Sequence, residues 1–85
     1  MRNLVTVIDQ MLNVIPTENA ICNAPSTPSF IAALRSRRDS VEYSAPELMR
    51  LRWESVAETL SDYISQDETL WTDWQKEVVK IWMGK

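Results

Sequence analysis

Apolar side chains recur at Leu4, Ile8, Met11 and Ile15, with Val5 and Leu12 beside them. Steps of four, three and four put these positions on one side of a helix, so the spacing predicts a helix over residues 2–15. Val7 and Val14 widen the stripe and predict cover on more than one side. The β-branched residues would also suit a strand, but Asp9, Gln10 and Asn13 spoil the alternation that a strand requires. Pro16 ends the element, because proline lacks an amide hydrogen and restricts the residue before it.

Residues 17–29 read as a connection: Thr17 is placed to cap a short turn over 18–23, and a Pro- and Ser-rich loop follows. Ser26 or Thr27 is the expected N-cap of a second helix over 28–42, with Pro28 in its first turn, where a missing N–H costs nothing. Phe30, Ile31, Leu34 and Val41 are its apolar positions, and the polar run from Arg35 to Ser40 predicts a solvated second half. The segment Ser44-Ala45-Pro46-Glu47 has the form of a capping box opening a long helix over 45–65. Leu48, Met49, Trp53, Val56, Leu60, Tyr63 and Ile64 share one face of it. Thr72-Asp73-Trp74-Gln75 forms a second such box. It opens a last helix with the stripe Trp71, Trp74, Val78, Ile81 and Trp82, and Gly84 suits the position after its end. The expected fold is all-α: one domain over residues 1–85, a compact bundle or orthogonal array of four main helices with short loops.

Composition narrows what such a domain can do. A chain of 85 residues with 45% hydrophobic and 25% charged positions is composed like a folded protein, and its four tryptophans add large units of buried area. The single glycine stands at position 84, so the glycine-dependent phosphate loops and dinucleotide fingerprint are absent, and tight hairpins are hard to make. There is no histidine and one cysteine, Cys22, with no lysine or arginine within ten residues to lower its pKa. Catalytic triads, zinc sites and an intramolecular disulfide therefore lack components, and neither cofactor nor metal is expected. Met1 and Arg2 before an apolar stretch resemble a secretory leader, but Asp9, Gln10 and Asn13 interrupt it and Ile21 is too large to precede a lipoprotein cleavage site. With no run long enough to span a membrane, the expected location is cytoplasmic.

Charge is segregated along the chain. Arg35, Arg37, Arg38, Arg50 and Arg52 straddle the second inter-helix turn and could grip phosphates as a nucleic-acid footprint. Asp39, Glu42 and Glu47 reduce that stretch to a net charge of +2, and the whole chain carries −3, whereas nucleic-acid modules are basic. A solvated face with internal ion pairs is the plainer account. Glu54, Glu58 and Asp62 recur every four residues, and no basic residue occurs from 54 to 68. Like charges at this spacing cost a helix a few tenths of a kcal/mol per pair, tolerable on an exposed face without any function. They also suit a basic partner surface. Paired carboxylates in acid–base catalysis need a pocket, for which so short a chain offers little room. Trp53 and Trp74 are expected in the core, while Trp71 and Trp82, near helix or chain ends, are candidates for a partly exposed contact.

The stretch Ser55-Val56-Ala57-Glu58-Thr59-Leu60-Ser61-Asp62-Tyr63 and the ending Ile81-Trp82-Met83-Gly84-Lys85 resemble small uncharacterised proteins of bacterial phages and prophages. The resemblance covers the C-terminal half, carries no motif with known chemistry and transfers no functional residue. It implies a bacterial cytoplasmic accessory protein, such as an inhibitor of a host protein. The expectation is thus a non-enzymatic protein–protein interaction module using Glu54, Glu58, Asp62, Trp71 and Trp82. The alternatives are a DNA- or RNA-binding regulator using the five arginines, and a structural homo-oligomer.

Overall fold

A computed structural model of the protein describes residues 2–16 and 27–84. Among the described residues there are four α-helices and no strand: α1 Leu4–Val14, α2 Thr27–Glu42, α3 Met49–Tyr63 and α4 Asp73–Met83. Single 3₁₀ turns at Pro46–Leu48 and Glu68–Leu70 precede the last two. The turn expected over 18–23, the Ser26 cap and Cys22 lie outside the described residues.

Helix α1 starts where Asn3 supplies a cap: its Oδ1 accepts the Thr6 amide at 3.2 Å, satisfying one of the N–H groups that a helix start leaves without a carbonyl. It stops at Val14, and Ile15 turns extended (φ −81°, ψ 127°), the conformation that a following proline imposes. Helix α4 closes with both devices read from the sequence. Thr72 Oγ1 accepts the Gln75 amide at 3.3 Å while Gln75 Oε1 accepts the Thr72 amide at 2.8 Å. At the other end Gly84 adopts φ +80°, a left-handed conformation that glycine enters without a Cβ clash.

The start of α3 corrects the sequence reading. Ser44 does not form a capping box with Glu47; its hydroxyl donates back to the Ser40 carbonyl at the end of α2 and accepts Arg52 Nε–H, the latter at 2.7 Å. The Asp39 and Val41 carbonyls in the last turn of α2 accept the Tyr43 and Ser44 amides, while the Ser40 carbonyl takes the Ser44 hydroxyl and so draws it away from the next helix. Ala45 is left as a cap with no side-chain hydrogen bond, and Pro46–Leu48 winds as a 3₁₀ turn before α3 begins at Met49. Leu48, expected on the inner face, is exposed in consequence. The helix also ends earlier than expected, at Tyr63, although Ile64 just beyond it remains buried.

Helix α1 packs against both α2 and α4, and α2 packs also against α3. The broad stripe of α1 explains this: Leu4, Val7, Ile8, Met11 and the following Ile15 are buried along one face, and Val5, Leu12 and Val14 at its margins are half-buried against the core. Phe30, Leu34, Val56 and Val78, from the other three helices, complete the fully buried centre. Each large apolar side chain so buried contributes roughly 1.5–3 kcal/mol. Phe30 joins three helices, stacking on Tyr63 of α3 (centroids 5.2 Å apart) and tilting against Trp74 of α4 (6.1 Å). At the edge of the α1–α2 interface Arg38 Nε donates to Asp9 Oδ1 at 2.6 Å and Arg38 Nη1 to Glu42 Oε2 at 2.9 Å. The hydrogen bond to Asp9, then its charge, raises the Arg38 pKa further above its already high value. Both side chains are half-exposed, so the contact adds little to stability.

Leu34→Ala removes a side chain with no exposure and is expected to lower the unfolding free energy by about 2–5 kcal/mol. Leu51→Ala, at a position 58% exposed, should change it by less than about 0.5 kcal/mol. Urea unfolding followed by circular dichroism compares the two.

Candidate functional site

Glu54, Glu58 and Asp62 all lie exposed on the outward side of α3. A rise of about 1.5 Å per residue separates successive carboxylates by roughly 6 Å along the axis. Among the described residues none of the three pairs with a cationic side chain. The exposed Leu51 shares their face, three residues before Glu54 and seven before Glu58.

The two candidate tryptophans stand at opposite ends of one seam between α3 and α4. Trp53 of α3 rests on Trp82 of α4 with ring centroids 5.4 Å apart, and Trp71, just before α4, donates from Nε1 to the Ser65 carbonyl just after α3 at 2.6 Å. The start of α3 thus faces the end of α4, so the two helices run antiparallel and are bridged by indoles at both ends of the seam. Between the bridges lies a shallow groove of about 260 Å³, lined chiefly by Ala57, Ser61, Ile64, Trp71, Val79 and Trp82. Its α3 wall adjoins the acids: Ala57 is three residues after Glu54, and Ser61 is three after Glu58. The helical rotation carries Asp62 further from the groove than Glu54 and Glu58. Trp71 and Trp82 are half-buried, each with one side in the core and one in the groove.

The five arginines do not gather. Arg38 is taken up by Asp9 and Glu42, and Arg52 Nε donates to Ser44. Arg37 is half-buried, its Nε enclosed and without a hydrogen-bond partner among the described residues. Arg35 and Arg50 are exposed on different helices.

Sequence reasoning overlooked Arg2. Its guanidinium donates to the Ile81 carbonyl at 2.6 Å and the Trp82 carbonyl at 2.8 Å, and lies over the Trp53 ring, 5.6 Å from the centroid. A cation at a helix C-terminus satisfies unpaired carbonyls and complements the helix dipole. Here it comes from the opposite end of the chain, and no local pattern could announce that. Arg2 also borders a second hollow of about 590 Å³, floored by Leu4, Val41, Met49 and Trp53. Asp67 caps the Glu68–Leu70 turn, accepting from Thr69 Oγ1 at 2.6 Å and from the Thr69 amide at 3.0 Å.

No helix of the described residues is long and apolar enough to cross a membrane. No family model, curated protein or solved structure matches the chain.

Two measurements test this local framework. Gly84→Ala forces a Cβ into left-handed backbone and brings it to 3.3 Å from Arg2 Nη1; thermal unfolding should show a loss of about 1 kcal/mol or more. The Thr69 hydroxyl, then its amide, holds the Asp67 carboxyl below the usual aspartate range. The cap is therefore complete above that range and is lost as pH falls through the lowered pKa. Carboxyl-carbon NMR titration should find that low value, and Thr69→Val should move it back up.

Proposed function

We propose that this protein is a non-enzymatic protein–protein interaction module that engages a basic partner surface through the acidic side of α3. The observation that carries the reading is the adjacency of an exposed row of carboxylates, Glu54, Glu58 and Asp62, none ion-paired among the described residues, to a groove walled by Trp71 and Trp82. Half-exposed tryptophan suits the anchoring role that dominates interface energetics, and a row of like charges steers an oppositely charged partner. The composition agrees: without histidine, with one cysteine and with no glycine-rich loop, the chain lacks the usual parts of nucleophilic, zinc and nucleotide chemistry. The resemblance of Ser55–Tyr63 and Ile81–Lys85 to phage and prophage proteins supports a cytoplasmic accessory protein or an inhibitor of a host protein as the setting.

Reversing Glu54, Glu58 and Asp62 together to lysine should abolish capture of a partner from bacterial lysate by the tagged protein and leave the helical circular dichroism spectrum unchanged. Undiminished capture would remove the reading. A mobility shift with mixed-sequence DNA at low salt tests the nucleic-acid alternative, since phosphate-driven binding must weaken steeply as salt rises.

A further inference from the structure

The seam between α3 and α4 constrains its occupant more closely than the acidic row alone. Its walls are helices, and the described residues contain no strand. An extended peptide laid there finds no sheet edge with which to pair its amides and carbonyls, whereas a helix brings its own backbone hydrogen bonds. The groove, shallow and of about 260 Å³, suits apolar side chains presented from one face of a helix as i, i+4 anchors. The indole bridges Trp53–Trp82 and Trp71–Ser65 close the groove at both ends, confining the anchors to the turns between them.

The rims differ in charge. Glu54 and Glu58 stand along the α3 side, with exposed Arg50 one turn before Glu54 at the Trp53 end, while on the α4 side exposed Lys76 lies one turn before the groove residue Val79. A fitting helix therefore carries lysine or arginine on the flank above α3 and an acid or a neutral residue on the other. A second copy of this chain fits poorly. Leu48 and Leu51, exposed at the start of α3, have Glu47, Glu54 and Glu58 beside them, which would meet the same acids on the groove rim. Met83 at the end of α4 has no second exposed apolar side chain one turn away.

Resting on the protein-binding reading above, we infer that the α3–α4 groove receives an amphipathic helix of a partner protein. Two bulky apolar side chains one turn apart enter between Trp71 and Trp82, and basic residues lie over Glu54 and Glu58.

A displayed library of random peptides about 16 residues long, selected on the full chain, tests this without presupposing the partner. Selected peptides should share bulky apolar residues at i, i+3 or i, i+4 with lysine or arginine beside them. Made as synthetic peptides, they should turn helical on binding and shift the Trp71 and Trp82 indole N–H signals in a ¹⁵N spectrum. The double variant Glu54→Lys/Glu58→Lys should weaken them about tenfold or more, and added salt should do likewise. The inference is overturned if no peptide is selected, if the selected peptides bind in extended form, if they move signals away from the groove, or if they bind the double variant equally. It is also overturned if light scattering shows a dimer whose formation masks the two indoles. Failure here, with lysate capture still lost on reversing the three acids, removes the helical occupant and keeps the interaction module; failure of both removes both.

Discussion

The breadth of the α1 stripe is the constraint on which the remaining structure depends. Leu4, Val7, Ile8, Met11 and the following Ile15 are buried along one face, and half-buried Val5, Leu12 and Val14 widen it at both margins. That breadth lets α1 pack against both α2 and α4. Because α1 occupies the middle, α3 is reached through α2, and α4 is left to approach α3 across an open seam. The indoles then span a gap that the backbones do not close, and the groove is what remains of it.

The same arrangement explains the use made of Arg2. A helix end packed near α1 leaves its carbonyls beside the chain's beginning, and the guanidinium there serves three neighbours at once: the Ile81 and Trp82 carbonyls and the face of Trp53. It secures the end of α4 on the side where Trp82 bridges to α3. Gly84 belongs to this joint, since any Cβ would crowd Arg2 as well as strain the backbone. The seam that borders the acidic row is thus held at one end by an arginine and two tryptophans and at the other by Trp71.

Charge is distributed in keeping with this layout. Cations that the sequence groups together are dispersed by the fold, Arg38 into an inter-helix ion pair and Arg52 onto the Ser44 hydroxyl. The acids of α3 keep their sequence order because they belong to one helix, and a step of four always returns to nearly the same side. One helix preserves a spacing, whereas a turn between two helices scatters it.

That difference separates what the sequence determined from what only the tertiary structure decided. The four helices, the stop at Pro16, the Thr72–Gln75 box, the left-handed Gly84 and the outward row Glu54, Glu58 and Asp62 all follow from interactions within a few residues, which local spacing encodes. The core positions Phe30, Leu34, Val56 and Val78 were legible for the same reason, since a helix with one apolar stripe has one way to face. The failed Ser44 cap was not legible, because two helix ends competed for one hydroxyl and the pattern shows only one of them. The placing of Trp71 and Trp82 at the two ends of one groove and the Arg2 clasp on α4 depend on how α1 orders its neighbours in space. Contacts between residues far apart in the chain are set by which faces run out of partners, and that is settled only when all four helices are assembled.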